Sequence, residues 1–290
     1  KVVNIATDDL AAKEYGAYCS LIWSYLTYPA QRDAILASHQ ERFNRIAHDI
    51  ESRGFERACV FGTGPSLARA HEFDYDRSLN IVCNSIVQNQ ELLDRLNPVF
   101  ICAGDVVSHL GISAYAHAFR EDLFKALRER DMIFVTTASF GALILYHYPD
   151  LEEKMLLLPQ DCEGPNFDLR KHFGAPLLDS TLNIHMLPLA ATFSKTIWLL
   201  GCDGKAKEKQ EEDFWAHAEE AQYQDLVDTG LLCHPTFDVH RQMSTYDRYL
   251  KSTELTIEEG ERVHGIRYAS LVQSNVPALA SRTLNADENT

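Results

Sequence analysis

Gly62, Thr63, Gly64, Pro65 and Ser66 follow the apolar run Ala58 to Phe61. Two glycines permit a sharp turn and let the backbone come close to a ligand. Pro65 suits the first position of a helix, where its missing N–H leaves nothing unpaired. Ser66 and the free amides of that first turn would then face whatever lies above the strand end. Such amides bind anions without any basic side chain. The chemistry predicted is capture of a nucleotide phosphate or ribose. A glycine turn of this kind also joins strand to helix in domains that bind nothing there, so its neighbours have to support the reading.

The titratable candidates lie further along the chain. His234 precedes Pro235, which holds it in extended or turn geometry. A histidine there can act as general base on an acceptor hydroxyl or donate to a leaving phosphate; it equally suits a structural position in a loop. His240 is the second choice. Tyr246 and Tyr249 can hydrogen-bond a phosphate or pack in a core. Asp105 and Asp203 each follow a strand candidate and a glycine. A carboxylate so placed can hold a ribose, orient a base, activate an acceptor or cap a turn. Asp74-Tyr75-Asp76 has the carboxylate spacing of metal-dependent sugar-nucleotide sites. It falls between the first helix and the second strand, on the N-terminal side of the sheet, and reads as a turn. No other Asp-x-Asp occurs, so no metal is required. The seven cysteines include no Cys-x-x-Cys pair. Cys59, Cys83, Cys102 and Cys202, in or beside apolar strand-like runs, read as small buried hydrophobes of a reducing compartment, and no zinc site is expected on these spacings.

Repeating strand–helix units must position these residues. Strands are predicted over 57–61, 79–83, 98–102, 132–136, 155–158 and 196–201. Helices are predicted over 31–53, 65–70, 85–96, 113–130, 138–148 and 184–194. The alternation predicts an α/β fold: a Rossmann-like, mostly parallel sheet with helices on both faces. Ligands bind such sheets beyond the C-terminal strand ends. Asn84 and Ser85 follow the second strand, Gly104 and Asp105 the third, Thr136 and Thr137 the fourth, and Gly201 and Asp203 the sixth. Small and polar types at every end predict a hydrogen-bonding rim suited to a nucleotide. Residues 159–183 read as loop, broken by Pro159, Gly164, Pro165, Gly174 and Pro176. Ser180 or Thr181 can cap the helix that follows, while Thr181 and Asn183 start at the same sheet edge and can face a ligand. His39, on the apolar stripe of the first helix, reads as a packed, satisfied histidine.

The chain divides by pattern into 1–54 (an aromatic segment and a helix), 55–204 (the nucleotide-binding core), 205–265 (a helical lid or acceptor region) and 266–290 (strand, short helix and tail). Asp and Glu outnumber Lys and Arg by 42 to 27, a net charge of −15, which argues against nucleic acid or an anionic membrane as partner. No apolar run is long enough to span a bilayer and no signal peptide is seen. The expectation is a cytoplasmic protein, at most peripheral to an inner membrane. The aromatic N-terminal segment suits packing across the main domain or an oligomer contact, and the start at Lys1 suits a piece of a longer parent chain. No P-loop and no nucleophile elbow occur, and the glycine turn lacks the third glycine of the dinucleotide fingerprint.

Val60 to Leu67 resembles the Gly-Asn-Gly-Pro-Ser-Leu motif of family 42 bacterial sialyltransferases and related motility-associated glycosyltransferase-like proteins, with Thr63 in place of the asparagine. Phe73-Asp74-Tyr75, Cys83-Asn84, Thr181-Leu182-Asn183 and Ile197 to Asp203 resemble further pieces of that group, scattered over residues 57–204. The resemblance implies a GT-A-like variant of the fold and a glycosyltransferase acting on a surface-glycan acceptor. Its donor would be a CMP-activated acidic sugar of the sialic acid or Kdo kind, used without a metal or other cofactor. It implies nucleotide contacts from Gly62, Thr63, Gly64, Pro65, Ser66, Asn84 and Ser85, and donor contacts from Thr181, Asn183 and a lid tyrosine such as Tyr246, with a lid histidine as base. Proteins with this motif also handle pterin diphosphates. A pterin or nucleotide diphosphokinase using ATP and Mg²⁺ therefore stays open, as does a non-catalytic nucleotide-binding domain of a polysaccharide assembly.

Overall fold

The computed structural model of the chain describes residues 29–178, 180–205, 221–233 and 245–284. His234 and His240 lie outside the described residues, as do the aromatic segment before Pro29 and the polar tail after Leu284. Seven strands form one sheet: β1 (Arg57–Phe61), β2 (Ser78–Cys83), β3 (Phe100–Cys102), β4 (Ile133–Thr137), β5 (Met155–Leu158), β8 (Thr196–Leu200) and β9 (Arg267–Ser270). Their spatial order is β5-β4-β3-β2-β1-β8-β9, and every neighbouring pair is parallel. The strands are short and almost continuously apolar, as strands covered on both faces must be. β2 is buried along its whole length.

The α/β reading holds, with differences at the boundaries. Helix α1 (Pro29–Arg53) carries Phe43, whose ring lies 5.6 Å from Phe173 and 6.0 Å from Phe193. Phe193 in turn stacks on Phe100 of β3 at 6.2 Å, so α1 is fixed to the sheet through an aromatic column. His39 of α1 is buried, as predicted, and its Nδ1 pairs with Arg42 at 2.9 Å. Burial, with Arg42 beside it, lowers its pKa to about 4. The predicted helix over 85–96 is two pieces, a 3₁₀ turn (Asn84–Gln88) and α2 (Gln90–Leu96), because Asn89 caps the second by accepting from the Leu92 amide at 3.0 Å. A short α3 (Val106–Leu110), absent from the sequence reading, precedes α4 (Ala114–Glu129). α5 (Ala138–His147) joins β4 to β5.

Residues 159–183 are not simply loop. β6 (Gln160–Cys162) and β7 (Ala175–Pro176) pair in parallel as a second, two-stranded sheet. The segment from Leu182 to Met186 winds as a single π turn before α6 (Leu187–Phe193). Such turns are rare and concentrate at functional sites. Of the lid region, α7 (Val227–Leu232) and α8 (Thr245–His264) are described, and α8 leads into β9 and the short α9 (Pro277–Ala280). No helix among the described residues is long and apolar enough to cross a membrane.

The chain runs β1 to β5 in one direction, then returns to place β8 and β9 on the other side of β1. The order therefore reverses between β1 and β8. That reversal opens a crevice at the C-terminal edge.

His185 lies in the π turn, fully buried, with neither ring nitrogen hydrogen-bonded. Burial lowers its pKa to about 3. The folded state therefore keeps the ring neutral, whereas the unfolded chain takes a proton below about pH 6.5. Stability from this residue is complete above that pH and is lost as the pH falls toward 3. We expect His185→Leu to flatten the acid limb. Between pH 7 and 4.5, wild-type stability in urea should fall by about 2–3 kcal/mol more than that of the variant. Parallel pH profiles would show that the imidazole is not held neutral.

Candidate functional site

The turn after β1 meets the turn after β8 at main-chain contact. The Gly62 amide donates to Leu200 O and the Gly64 amide to Gly201 O, both at 2.8 Å. Gly201 has φ 72°, and a Cβ there would collide with the Gly62 carbonyl. A Cβ on Gly62 would collide with Gly201 in return. The two glycines are thus required by each other, in addition to any ligand.

Asp203 completes the contact. Its Oδ2 accepts from Ser66 Oγ at 2.9 Å and from the Ser66 amide at 3.2 Å, while Ser66 Oγ accepts from the Gly201 amide at 3.0 Å. This corrects the expectation of free amides over the turn: the protein's own carboxylate occupies the anion position at the start of residues 65–72. That segment is also a 3₁₀ helix instead of the α-helix predicted over 65–70. Its tighter winding bonds Leu67 N to Gly64 O at 3.0 Å, which removes a further donor. Burial raises the Asp203 pKa, against the lowering effect of the Ser66 bonds. The turn is held from the far side by Ser274 Oγ on Cys202 O at 2.8 Å and by the Asn275 amide on Asp203 O at 2.7 Å.

The remaining predicted residues divide into those that line the mouth and those beneath it. Thr63, Asn84, Gly104 and Asp105 are partly exposed there, and Pro65 is exposed. Thr181 Oγ1 accepts from the Gly104 amide at 3.1 Å and donates to Asn84 Oδ1 at 3.4 Å, joining the ends of β2 and β3. Asn84 has φ 49° and Ser180 φ 75°. Left-handed backbone at non-glycine positions costs on the order of 1–3 kcal/mol and marks sites where geometry is held for use. Asp105 accepts from the Ser108 amide and hydroxyl, both at 2.9 Å, so it caps α3 while facing the mouth.

Asn183 and Ser85 do not line the opening. Asn183 is fully buried and donates to Thr253 Oγ1 of α8 at 3.1 Å, tying the lid helix to the π turn. Ser85 is fully buried beside the Tyr115 hydroxyl. Gly201 and Ser66 are likewise buried, as parts of the clasp. Tyr246 reaches the site from α8. Its hydroxyl accepts from the Lys205 amide at 2.8 Å, and Lys205 Nζ stands 5.3 Å from its ring centre. Lys205 is a cation the sequence reading missed; its position two residues after Asp203 is the signal that would have found it. Asp74 to Asp76 close an Asx turn at the N-terminal edge, with Asp74 Oδ1 accepting from the Asp76 amide at 2.8 Å.

A cavity of about 190 Å³, lined by Phe167, Arg170, Thr192 and His264, opens beside Ser194 and Lys195. Those residues precede β8, so the cavity is at the opposite edge from the mouth. Among the described residues the mouth is a rim of neutral hydrogen-bonding groups, with Lys205, Asp105 and Asp203. Such a rim can orient a ribose and a base and meet a phosphate at Lys205.

No family model matches the chain, and neither a curated protein nor a solved structure matches it. The geometry yields its own test. Asp203→Ala leaves the Ser66 amide and hydroxyl without their acceptor and should destabilise by about 1–3 kcal/mol in urea unfolding. Asp203→Asn keeps an acceptor and removes a half-buried charge, and should remain within about 1 kcal/mol of wild type. An Ala variant as stable as wild type would mean that the carboxylate does not hold the two turns together.

Proposed function

We propose that the chain is a glycosyltransferase that takes a CMP-activated acidic sugar at the C-terminal mouth of the sheet and transfers the sugar to a glycan acceptor. The observation that carries this reading is the convergence of Thr63, Asn84, Gly104, Asp105 and Thr181 beside the β1–β8 reversal. In parallel sheets that crevice is where nucleotides bind. The residue types suit a nucleoside, and the resemblance of residues 60–67 points to cytidine. The phosphate cannot use the Ser66 amide, which Asp203 occupies. Lys205 and the hydroxyl-bearing Tyr246 beside it are the groups suited to the leaving phosphate, where positive charge and donors stabilise negative charge as the glycosidic bond breaks. His234 is the proposed base on the acceptor hydroxyl, with His240 second.

Asn84→Ala and Lys205→Ala should each weaken CMP binding about tenfold or more in isothermal titration, the loss of one hydrogen bond or charge contact. His234→Ala should keep CMP affinity and lose transfer. Transfer should proceed without added Mg²⁺. No CMP binding at millimolar ligand sinks the reading. Mg²⁺-dependent transfer of diphosphate from ATP would assign the chain to the diphosphokinase class, and CMP binding without turnover to a non-catalytic role.

A further inference from the structure

A second group of chemically capable side chains stands away from the mouth, on the β6–β7 pair. Asp161 Oδ1 and His172 Nε2 are 3.1 Å apart, and Cys162 Sγ is 3.7 Å from Asp161 Oδ1. The three ligand atoms all lie within 4.8 Å of one another. We propose that Asp161, Cys162 and His172 bind one divalent ion of the zinc class, with a fourth position left to water.

The spacings fit the ion. Zinc bonds of about 2.0–2.3 Å to oxygen, nitrogen and sulfur place tetrahedral ligands about 3.3–3.7 Å apart. The Asp161–His172 and Asp161–Cys162 separations lie near that range and the third pair is within 4.8 Å, so small side-chain shifts close the site. A thiolate, an imidazole and a carboxylate together favour a borderline ion over Mg²⁺ or Ca²⁺, which take oxygen donors. Three protein ligands are the count of an open zinc site.

The surrounding chain holds the donors in place. Asn166 Nδ2 donates to His172 O and to Gly174 O, each at 2.8 Å, and stands 3.9 Å from Cys162 Sγ. The Ala175 amide donates to Pro159 O at 2.7 Å and the Leu177 amide to Cys162 O at 2.8 Å. Phe173, next to His172, is anchored against Phe43 of α1. Gly174 is needed for the assembly: a Cβ there would collide with Asp161 Oδ1 and come within 2.8 Å of His172 Nε2. Without a cation, a thiol and a carboxylate share this corner, and burial together with Asp161 pushes the Cys162 thiol up to about 11. An ion binding there displaces that proton and leaves a thiolate, one proton released per ion bound. The alternative is a plain Asp161–His172 surface pair, which needs the glycine but not Cys162.

The full chain, loaded with Zn²⁺ and dialysed, should carry one ion per chain. Co²⁺ loading should give the near-ultraviolet thiolate-to-cobalt absorption band. Cys162→Ser should abolish that band, and both Cys162→Ser and His172→Gln should weaken Zn²⁺ binding at least tenfold. Absence of the band in the wild-type chain overturns the proposal whatever the variants do. So does stoichiometric Zn²⁺ that both variants retain with unchanged affinity, since the ion would then be held by other residues.

Discussion

The structure depends on one close approach, that of Gly62 to Gly201. At this point the outward run of strands from β1 and the returning strand β8 leave the sheet side by side, and Gly62 and Gly64 bond to Leu200 and Gly201 through main-chain atoms. Any side chain at either glycine would force the turns apart. The Asp203–Ser66 pair then locks the contact, because a half-buried carboxylate needs donors and the first 3₁₀ turn has them to give. Everything at the mouth is placed relative to this clasp: Thr63 on one turn, Lys205 on the other, and the ends of β2 and β3 alongside.

The clasp changes the meaning of the glycine motif. A glycine turn leading into a helix is normally credited with binding anions through free amides. Here the amide is engaged by the protein itself. A positively charged N-terminus that already holds a carboxylate will repel a second anion unless another cation stands near. Lys205 is that cation, brought to the same edge by the turn Asp203 stabilises. The motif therefore contributes chiefly by shaping the crevice, and in the proposed reading the ligand contacts fall to Thr63, Asn84, Asp105 and Lys205.

Much of the fold was legible because its strands are buried on both faces and read as continuous apolar runs; Cys59 to Phe61 and Leu156 to Leu158 admit little else. Boundaries slipped where local hydrogen bonding overrides periodicity, as at Asn89, whose cap divides one predicted helix into two. The site was legible in kind but not in detail. The residue types after each strand mark the edge, yet nothing in the order of residues says that Asp203 would turn inward onto Ser66 or that Asn183 would be buried against Thr253. Those outcomes depend on which segments face each other across the crevice. The Asp161–Cys162–His172 group is the clearest case. Cysteine spacing gave no hint of it, because the nine residues between Cys162 and His172 close only when β6 and β7 pair.

Strain locates the working part of the mouth more narrowly than burial does. Among the described residues, four non-glycine positions have left-handed backbone, and two of them, Asn84 and Ser180, stand at this edge. Arg77 and Asn97 can be accounted for as an ordinary turn and the end of α2. Asn84 and Ser180 instead flank Thr181, whose hydroxyl bridges the ends of β2 and β3. The π turn that follows is a further irregularity at the same edge. A chain that selects two strained residues and a π turn around one threonine is holding that hydroxyl and the Asn84 amide in a fixed relation. A fixed pair of neutral side chains is what the proposed nucleoside site would use. The proposed ligand site is therefore centred on Asn84 and Thr181, with the glycine clasp as its frame.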